Sequence, residues 1–360
     1  MAVPFPPRAF PAPELHPADR GSAVALENGT INRGFAIALE NGTIVNGYLR
    51  RNDPKHEFAY ERYQKVIDLG QKGKILYGRK YERSDEAGLY SRTEQIVVIK
   101  KLSKSWLRCQ QGAENPLVEI AVSQMIGDNH HVVEMHEALQ DNKYYYMVMT
   151  YFGTDLFDAL QVATPNHVPL LQTLVQNLLY LQQHNIIHRD LSPENIIVDS
   201  DLHEARCPLI DFAMALQCAM LEGNTLRIVP QTIASGKWPY MSPEVYRGAE
   251  LGFGVDVWAL GCTLFLLWTG QHLYEHPSDR CWEFFIENNG IERALHIDMD
   301  IWMSVPNLPP DFTPAMVKFP LVQGLDDEQR DLLSKMLHMD PSERITAREI
   351  LQHGYLQQQL

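Results

Sequence analysis

Strand-like apolar patterning dominates the chain between about residues 60 and 149, and helical spacing takes over from about residue 155. Tyr63 to Gly70 and Ile75 to Lys80 read as two strands around a turn. The β-branched run Ile96-Val97-Val98-Ile99 reads as a buried strand. Asn115 is placed to cap a helix with Pro116 at its first position and Gly127 as its stop. Val132 to Met135 and Tyr144 to Met149 predict a further strand pair. Leu170 to His184 carries apolar residues at helical spacing, and Val257 to Thr269 is apolar almost all round, the pattern of a helix buried on every side. Asp326 to Met339 and Thr346 to His353 predict amphipathic helices.

The first 58 residues follow another pattern. Proline at positions 4, 6, 7, 11 and 13 predicts disorder over residues 1–20. A short duplication follows: Ala25-Leu26-Glu27-Asn28-Gly29-Thr30-Ile31 recurs as Ala38-Leu39-Glu40-Asn41-Gly42-Thr43-Ile44. Each copy sets an Asn-Gly turn signal between apolar residues. Two copies are too few for a solenoid, so residues 1–58 are expected to be a disordered, Pro-rich extension whose partner the sequence does not name.

Composition narrows the class. A chain of 360 residues with 45% apolar content can bury a large core. Its net charge of −14, with no Lys/Arg run longer than two, argues against a nucleic-acid or anionic-membrane surface. The cysteines at 109, 207, 218, 262 and 281 form no Cys-x-x-Cys pair, so neither a disulfide framework nor a zinc site is indicated. The N-terminus lacks the apolar run of a signal peptide, and the longest apolar stretch, Cys262 to Trp268, is too short to span a bilayer. These features lead to the expectation of a soluble, intracellular, cytoplasmic protein, with the nucleus also open.

Chemistry concentrates in His188-Arg189-Asp190-Leu191-Ser192-Pro193-Glu194-Asn195, followed by Asp211-Phe212-Ala213 and Ser242-Pro243-Glu244. Phosphoryl transfer needs a carboxylate to orient the attacking hydroxyl and take its proton, and oxygen ligands for the Mg²⁺ that offsets charge on ATP. Asp190 has the type and place for the first task, and Asn195 with Asp211 for the second. Lys100 ends the Val97-Val98-Ile99 run, and Glu119 lies 19 residues further on, in the first turns of the helix expected from Pro116. A strand-end lysine is commonly just solvated; the pair is what gives it meaning.

In this order and spacing the motifs resemble those of eukaryotic protein kinases over residues 60–356. The resemblance implies an α+β, bilobal protein-kinase-like fold, with a small antiparallel-sheet lobe over 59–149, a hinge over 150–154 and a larger helical lobe over 155–357. It implies ATP and Mg²⁺ as cofactors and proteins as substrates. Lys100 would hold the α- and β-phosphates and Glu119 would pair with it. Leu69, Gly70, Gly73 and Leu76 would belong to the phosphate-covering loop, which keeps its first glycine but has the others displaced or lost; Lys72 and Lys74 would offset part of that loss by charge. Val98 and Ile197 would close the adenine slot, Met149 would guard its back, and the Thr150 carbonyl and Phe152 amide would bond the adenine edge. Asp256 would hold the catalytic-loop backbone, and Arg344 would pair with Glu244. Arg189 would receive an activation-loop phosphate, with Thr225, Thr232 and Ser235 as local acceptors. Asp155 and Glu194 match acids that recognise a basic residue upstream of the phosphoacceptor, although Leu266 replaces the acid deeper in that pocket.

Three positions depart from the family pattern. Ser192 stands where a lysine touches the γ-phosphate, Ala213 replaces a glycine, and Lys237 stands where a threonine bonds the catalytic aspartate. Losing one donor to developing charge commonly costs about 10²–10³ in rate. Two function classes follow: an active serine/threonine-directed protein kinase, favoured by retention of Lys100, Glu119, Asp190, Asn195 and Asp211, and a pseudokinase-like scaffold. A small-molecule kinase is disfavoured by Ser-Pro-Glu and Arg344. The departures also suggest an exchange, in which Lys237 reaches over Asp190 toward the γ-phosphate and Ser192 supplies the hydroxyl that threonine gives elsewhere.

Overall fold

The computed structural model describes residues 24–27, 30–33, 35–38, 44–49, 58–84, 89–109, 114–127, 129–199, 206–218, 236–273 and 324–357, with residues 24–49 and 62–66 described by backbone alone. The chain divides into two units between Gly153 and Thr154. The first is strand-rich and the second helical, the α+β composition expected.

The first unit is built on a seven-stranded antiparallel sheet. Its strands are β3 (Phe35–Ala38), β4 (Ile44–Leu49), β5 (Phe58–Asp68), β6 (Gly73–Arg83), β7 (Tyr90–Ser103), β9 (Tyr144–Thr150) and β8 (Met135–Gln140), in that spatial order. A separate hairpin, β1 (Val24–Glu27) with β2 (Thr30–Arg33), precedes it. Both copies of the duplication therefore form strand pairs. Glu27 faces Thr30 across the two residues Asn28-Gly29, and Ala38 faces Ile44 across the second copy. Strands thus occupy residues 24–27, 30–33, 35–38 and 44–49, where the composition upstream had led to an expectation of disorder. Pairing satisfies backbone groups of these strands, and β4 pairs in turn with β5.

Period-2 alternation along β6, β7 and β9 sends Leu76, Val97, Ile99, Tyr146 and Val148 into one core, which Tyr60 and Leu139 complete. The expected strand Val132–Met135 lies instead at Met135–Gln140. The turn decides this: Asp141 Oδ1 accepts the N–H groups of Lys143 and Tyr144, both at 2.6 Å, which closes the hairpin after Gln140 and sets its register, Gln140 opposite Tyr145. Two helices complete the unit, α1 (Lys104–Cys109) and α2 (Pro116–Ile126). In α2, Asn115 Oδ1 accepts the Leu117 N–H at 3.0 Å, Pro116 opens the first turn and Gly127 ends it at φ 70°, as the sequence predicts.

The second unit contains β10 (Thr154–Asp155), α3 (Leu156–Ala159), α4 (His167–Gln183), β11 (Ile186–Ile187), β12 (Ile197–Val198), β13 (Leu216–Gln217), α5 (Pro243–Tyr246), α6 (Gly254–Thr269), α7 (Asp327–Met336), α8 (Ala347–Ile350) and α9 (Gly354–Gln357). Helix α6 is buried from Val255 to Leu267, which explains its lack of a polar face. Gly261 lets it approach the end of α7, since a Cβ there would lie 2.9 Å from Leu337 Cδ2. Helices α7 and α8 both begin with capping boxes, Asp326 with Gln329 and Thr346 with Glu349. Helix α7 stops at Met336 rather than Met339, ahead of the Asp340-Pro341 step. The helix expected over Thr346–His353 breaks into α8 and α9 at a turn before Gly354.

Candidate functional site

In the first unit, Val97 and Ile99 of β7 point into the core, so Val98 and Lys100 belong to the opposite face. Lys100 Nζ lies 2.9 Å from both carboxylate oxygens of Glu119, which the capped start of α2 places one turn in. Both side chains are buried, so their charges compensate each other where water cannot. Removing either would leave the other buried and uncompensated.

The loop after β5 is a tight turn. The Leu69 N–H donates to the Gly73 carbonyl at 3.0 Å, and Gly70, at φ 61°, donates its N–H to Asp68 Oδ1 at 3.0 Å. Gly73 answers to the sheet: a Cβ there would lie 1.9 Å from the Lys101 carbonyl oxygen, so only glycine allows β6 to approach β7. Lys72, expected to contribute charge toward phosphates, forms an ion pair with Glu114. Leu76, expected beside the nucleotide, lies in the core opposite Ile99. The residue that shares the face of Val98 is Tyr77, its direct partner in the register. Sequence reasoning passed over Tyr77, although counting in twos from Val98 and Lys100 identifies it. Its ring stands edge-on to Tyr151 at 5.2 Å between centroids.

Met149 lies opposite Val98, and Thr150 opposite Val97. The Thr150 hydroxyl lies 3.0 Å from Glu134 Oε2 and 3.0 Å from His136 Nε2, its N–H donates to the Glu134 carbonyl at 2.9 Å, and the Tyr151 N–H donates to the Ile96 carbonyl at 3.0 Å. Phe152 follows two residues later.

In the second unit, β11 delivers the 188–195 loop from a buried pair of isoleucines. Asp256, in the first turn of α6, accepts the His188 N–H at 2.8 Å and the Arg189 N–H at 2.9 Å. Those bonds hold Arg189 in the left-handed region, at φ 66°, which a side-chain-bearing residue seldom adopts. Burial pushes the Asp256 carboxyl pKa up against the pull of these donors. The His188 ring lies 2.9 Å, through Nε2, from the Ile210 carbonyl, and burial pushes its pKa down.

Asp190 is held from two sides. Its Oδ1 accepts the Lys237 backbone N–H at 3.0 Å and its Oδ2 accepts Asn195 Nδ2 at 2.9 Å. Asn195 Nδ2 also donates to the Asp190 carbonyl at 2.7 Å, so its amide nitrogen is committed and its oxygen is left for another partner. Burial raises the Asp190 pKa, Lys237 opposes that shift, and the charge of Asp211 adds to it. Asp211, at φ 64°, opens the single turn Phe212–Met214. Asn195 and Asp211 together offer only oxygen ligands, the chemistry that suits a hard divalent cation such as Mg²⁺.

Gly236 lets the following segment approach this loop. At φ 109° it adopts a conformation side chains disfavour, and a Cβ would lie 2.7 Å from the Arg189 carbonyl oxygen. Sequence reasoning missed this glycine; its signal was the position directly before Lys237. The Lys237 ammonium lies 2.6 Å from Ser192 Oγ, 3.4 Å from Glu194 Oε2 and 4.0 Å from Asp190 Oδ2. The Ser192 hydroxyl thus meets Lys237, whereas the expectation had it bonding Asp190; the Lys237 backbone and Asn195 take that place.

The remaining expected residues fall at separate points. Ile197 of β12 pairs with Asp155 of β10. Asp155 caps α3 by accepting the Asp158 N–H at 2.8 Å, and burial pushes its pKa up to about 6. Arg344 donates to Glu244 through two buried bonds of 2.6 and 2.9 Å and to the Gly254 carbonyl at 2.8 Å. Thr225, Thr232 and Ser235 lie outside the described residues.

A family model described as the protein kinase domain matches residues 87–356. Among curated proteins, cyclin-dependent kinase B2-1 of Oryza sativa subsp. japonica is 28% identical over 330 residues, covering 82% of this chain and 89% of the relative.

Proposed function

The chain belongs to the protein kinase family, and from that premise we propose that it transfers the γ-phosphate of ATP to serine and threonine hydroxyls of protein substrates. The observation that carries the proposal is the Asp190 cluster. A carboxylate is fixed through both oxygens, beside an amide oxygen and a second carboxylate of the kind that holds Mg²⁺. Bound Mg·ATP supplies the electrophilic phosphorus and the charge neutralisation that the reaction needs. In this reading Asn195 and Asp211 hold the metal, and Lys100, oriented by Glu119, holds the α- and β-phosphates. Val98, Met149, Thr150, Phe152 and Ile197 receive the adenine, joined by Tyr77 in the place expected of Leu76.

Asp190 takes the proton of the substrate hydroxyl at its carboxylate. Burial raises its pKa and so its basicity, while the bonds from Lys237 and Asn195 keep it oriented. Retention of this apparatus, with the Lys100–Glu119 pair intact, favours transfer over a scaffold that lacks it. That the rice relative is named a kinase supports phosphoryl transfer. Among the described residues no helix is long and apolar enough to cross a membrane. A preference for one basic residue upstream of the acceptor rests on Asp155 and Glu194. Lys237 offsets part of the Glu194 charge, so that preference is weak.

Asp190→Asn is the direct test. Transfer should fall by about 10³-fold or more, the order seen when a general base is removed with its neighbours intact, while the Kd for Mg·ATP stays within about threefold. Turnover retained in that variant would show that Asp190 is not the base. Asp211→Asn should instead weaken binding of Mg·ATP itself.

A further inference from the structure

Lys237 and Ser192 are two departures from the family pattern, and they touch each other. The backbone fixes the approach: Gly236 admits the segment and the Lys237 N–H binds Asp190 Oδ1 at 3.0 Å. The side chain then folds back across the 188–195 loop. Its ammonium binds the fully buried Ser192 hydroxyl at 2.6 Å and lies between the carboxylates of Asp190 and Glu194. A serine at 192 leaves room for this stem, whereas a second lysine there would crowd a second ammonium into the same space. Among the described residues, the cation beside Asp190 is thus delivered from residue 237 rather than residue 192. Its third of exposure leaves that ammonium open on one side.

We infer that Lys237 is the residue that meets the terminal phosphate of the nucleotide, held in place by the Ser192 hydroxyl. This rests on the phosphotransfer reading above and adds to it a specific cation for the group in flight. A lysine suits the task because its compact charge sits on a flexible stem and can stay with the phosphoryl group as its charge develops. The opposite role is a lock, in which Lys237 neutralises Asp190 and Glu194 and restrains the loop; the same experiment separates the two.

The test uses the full chain, with Lys237→Thr, Ser192→Lys and the double variant, which restores the family arrangement. Calorimetry measures Kd for Mg·ADP and for the Mg²⁺ complex of adenylyl imidodiphosphate, which has the third phosphate but does not transfer it. Lys237→Thr should weaken the triphosphate analogue by about tenfold or more, the size of a charged hydrogen bond, with ADP unchanged within about twofold. Transfer to peptide should fall about 10²-fold, and the double variant should recover at least about tenfold of that loss. If the threonine variant fails to fold, Lys237→Met gives the same comparison. An unchanged ratio of the two affinities overturns the inference, and a faster Lys237→Thr enzyme assigns Lys237 the role of lock. If the wild type shows no transfer while the ratio still depends on Lys237, the phosphate contact stands and the transfer reading fails. If the wild type transfers phosphate and the ratio does not depend on Lys237, the inference alone fails.

Discussion

Asp155 illustrates how one side chain answers to two demands. Its oxygen caps α3, a role the charge supports, yet burial and the nearby charges of Asp158 and Glu194 raise its pKa from 3.8 to about 6. The folded state therefore holds this proton more tightly than the unfolded chain. Between about pH 4 and 6 the folded form binds more protons, so the contribution of this group to stability falls as pH rises through that window. Asp155→Asn keeps the oxygen that accepts the Asp158 N–H and removes the ionisation. In urea denaturation from pH 4 to 7, the Asn variant should gain on the wild type as pH rises to about 6 and hold its advantage above. Parallel curves across the range would contradict the raised pKa. The pairing of Asp190 with Asn195 and of Lys100 with Glu119 joins residues that the sequence singles out by type and spacing. The engagement of Lys72 with Glu114 and the capping role of Asp155 were not legible there, because each depends on which neighbour the fold brings within reach.

At the scale of elements, register decides function more than composition does. Leu76 and Tyr77 are adjacent, and the pairing of β6 with β7 sends the first into the core beside Ile99 and the second to the face of Val98. Leu76→Ala should cost ~2–5 kcal/mol of stability, the range for a buried leucine, and leave nucleotide affinity within about twofold. Tyr77→Ala should do the reverse, changing nucleotide affinity with a smaller loss of stability. If Leu76→Ala weakens nucleotide binding in a stably folded protein, this register is wrong. Helix α2 was readable from its cap and stop, α4 from its apolar spacing and α6 from its nearly unbroken apolar run. Strand β8 was not: its sequence Met135–Gln140 holds no β-branched residue, and only the Asp141 turn and the pairing with Tyr144–Thr150 make it a strand. Strands β3 and β4 were hidden by the proline-rich composition upstream, although the Asn-Gly signal of each copy marked a hairpin.

At the scale of the molecule, distant segments hold the 188–195 loop in place. Asp256 of α6 binds the backbone of residues 188 and 189, 68 and 67 positions away in sequence. Arg344 reaches back 100 residues to Glu244, fastening α5 to the segment before α8. Breaking a buried pair of this kind costs ~3–5 kcal/mol, so the family motifs outside the reaction loop are structural commitments. The activity proposed for this arrangement is transfer of phosphate to protein hydroxyls. The most direct measurement is incubation of the purified chain with γ-labelled ATP, Mg²⁺ and a mixed peptide library, beside Asp211→Asn under the same conditions. The account predicts label on serine and threonine with the wild type and a loss of about 10²-fold or more in the variant. Equal labelling by both proteins, or no label from the wild type on any peptide, would contradict it.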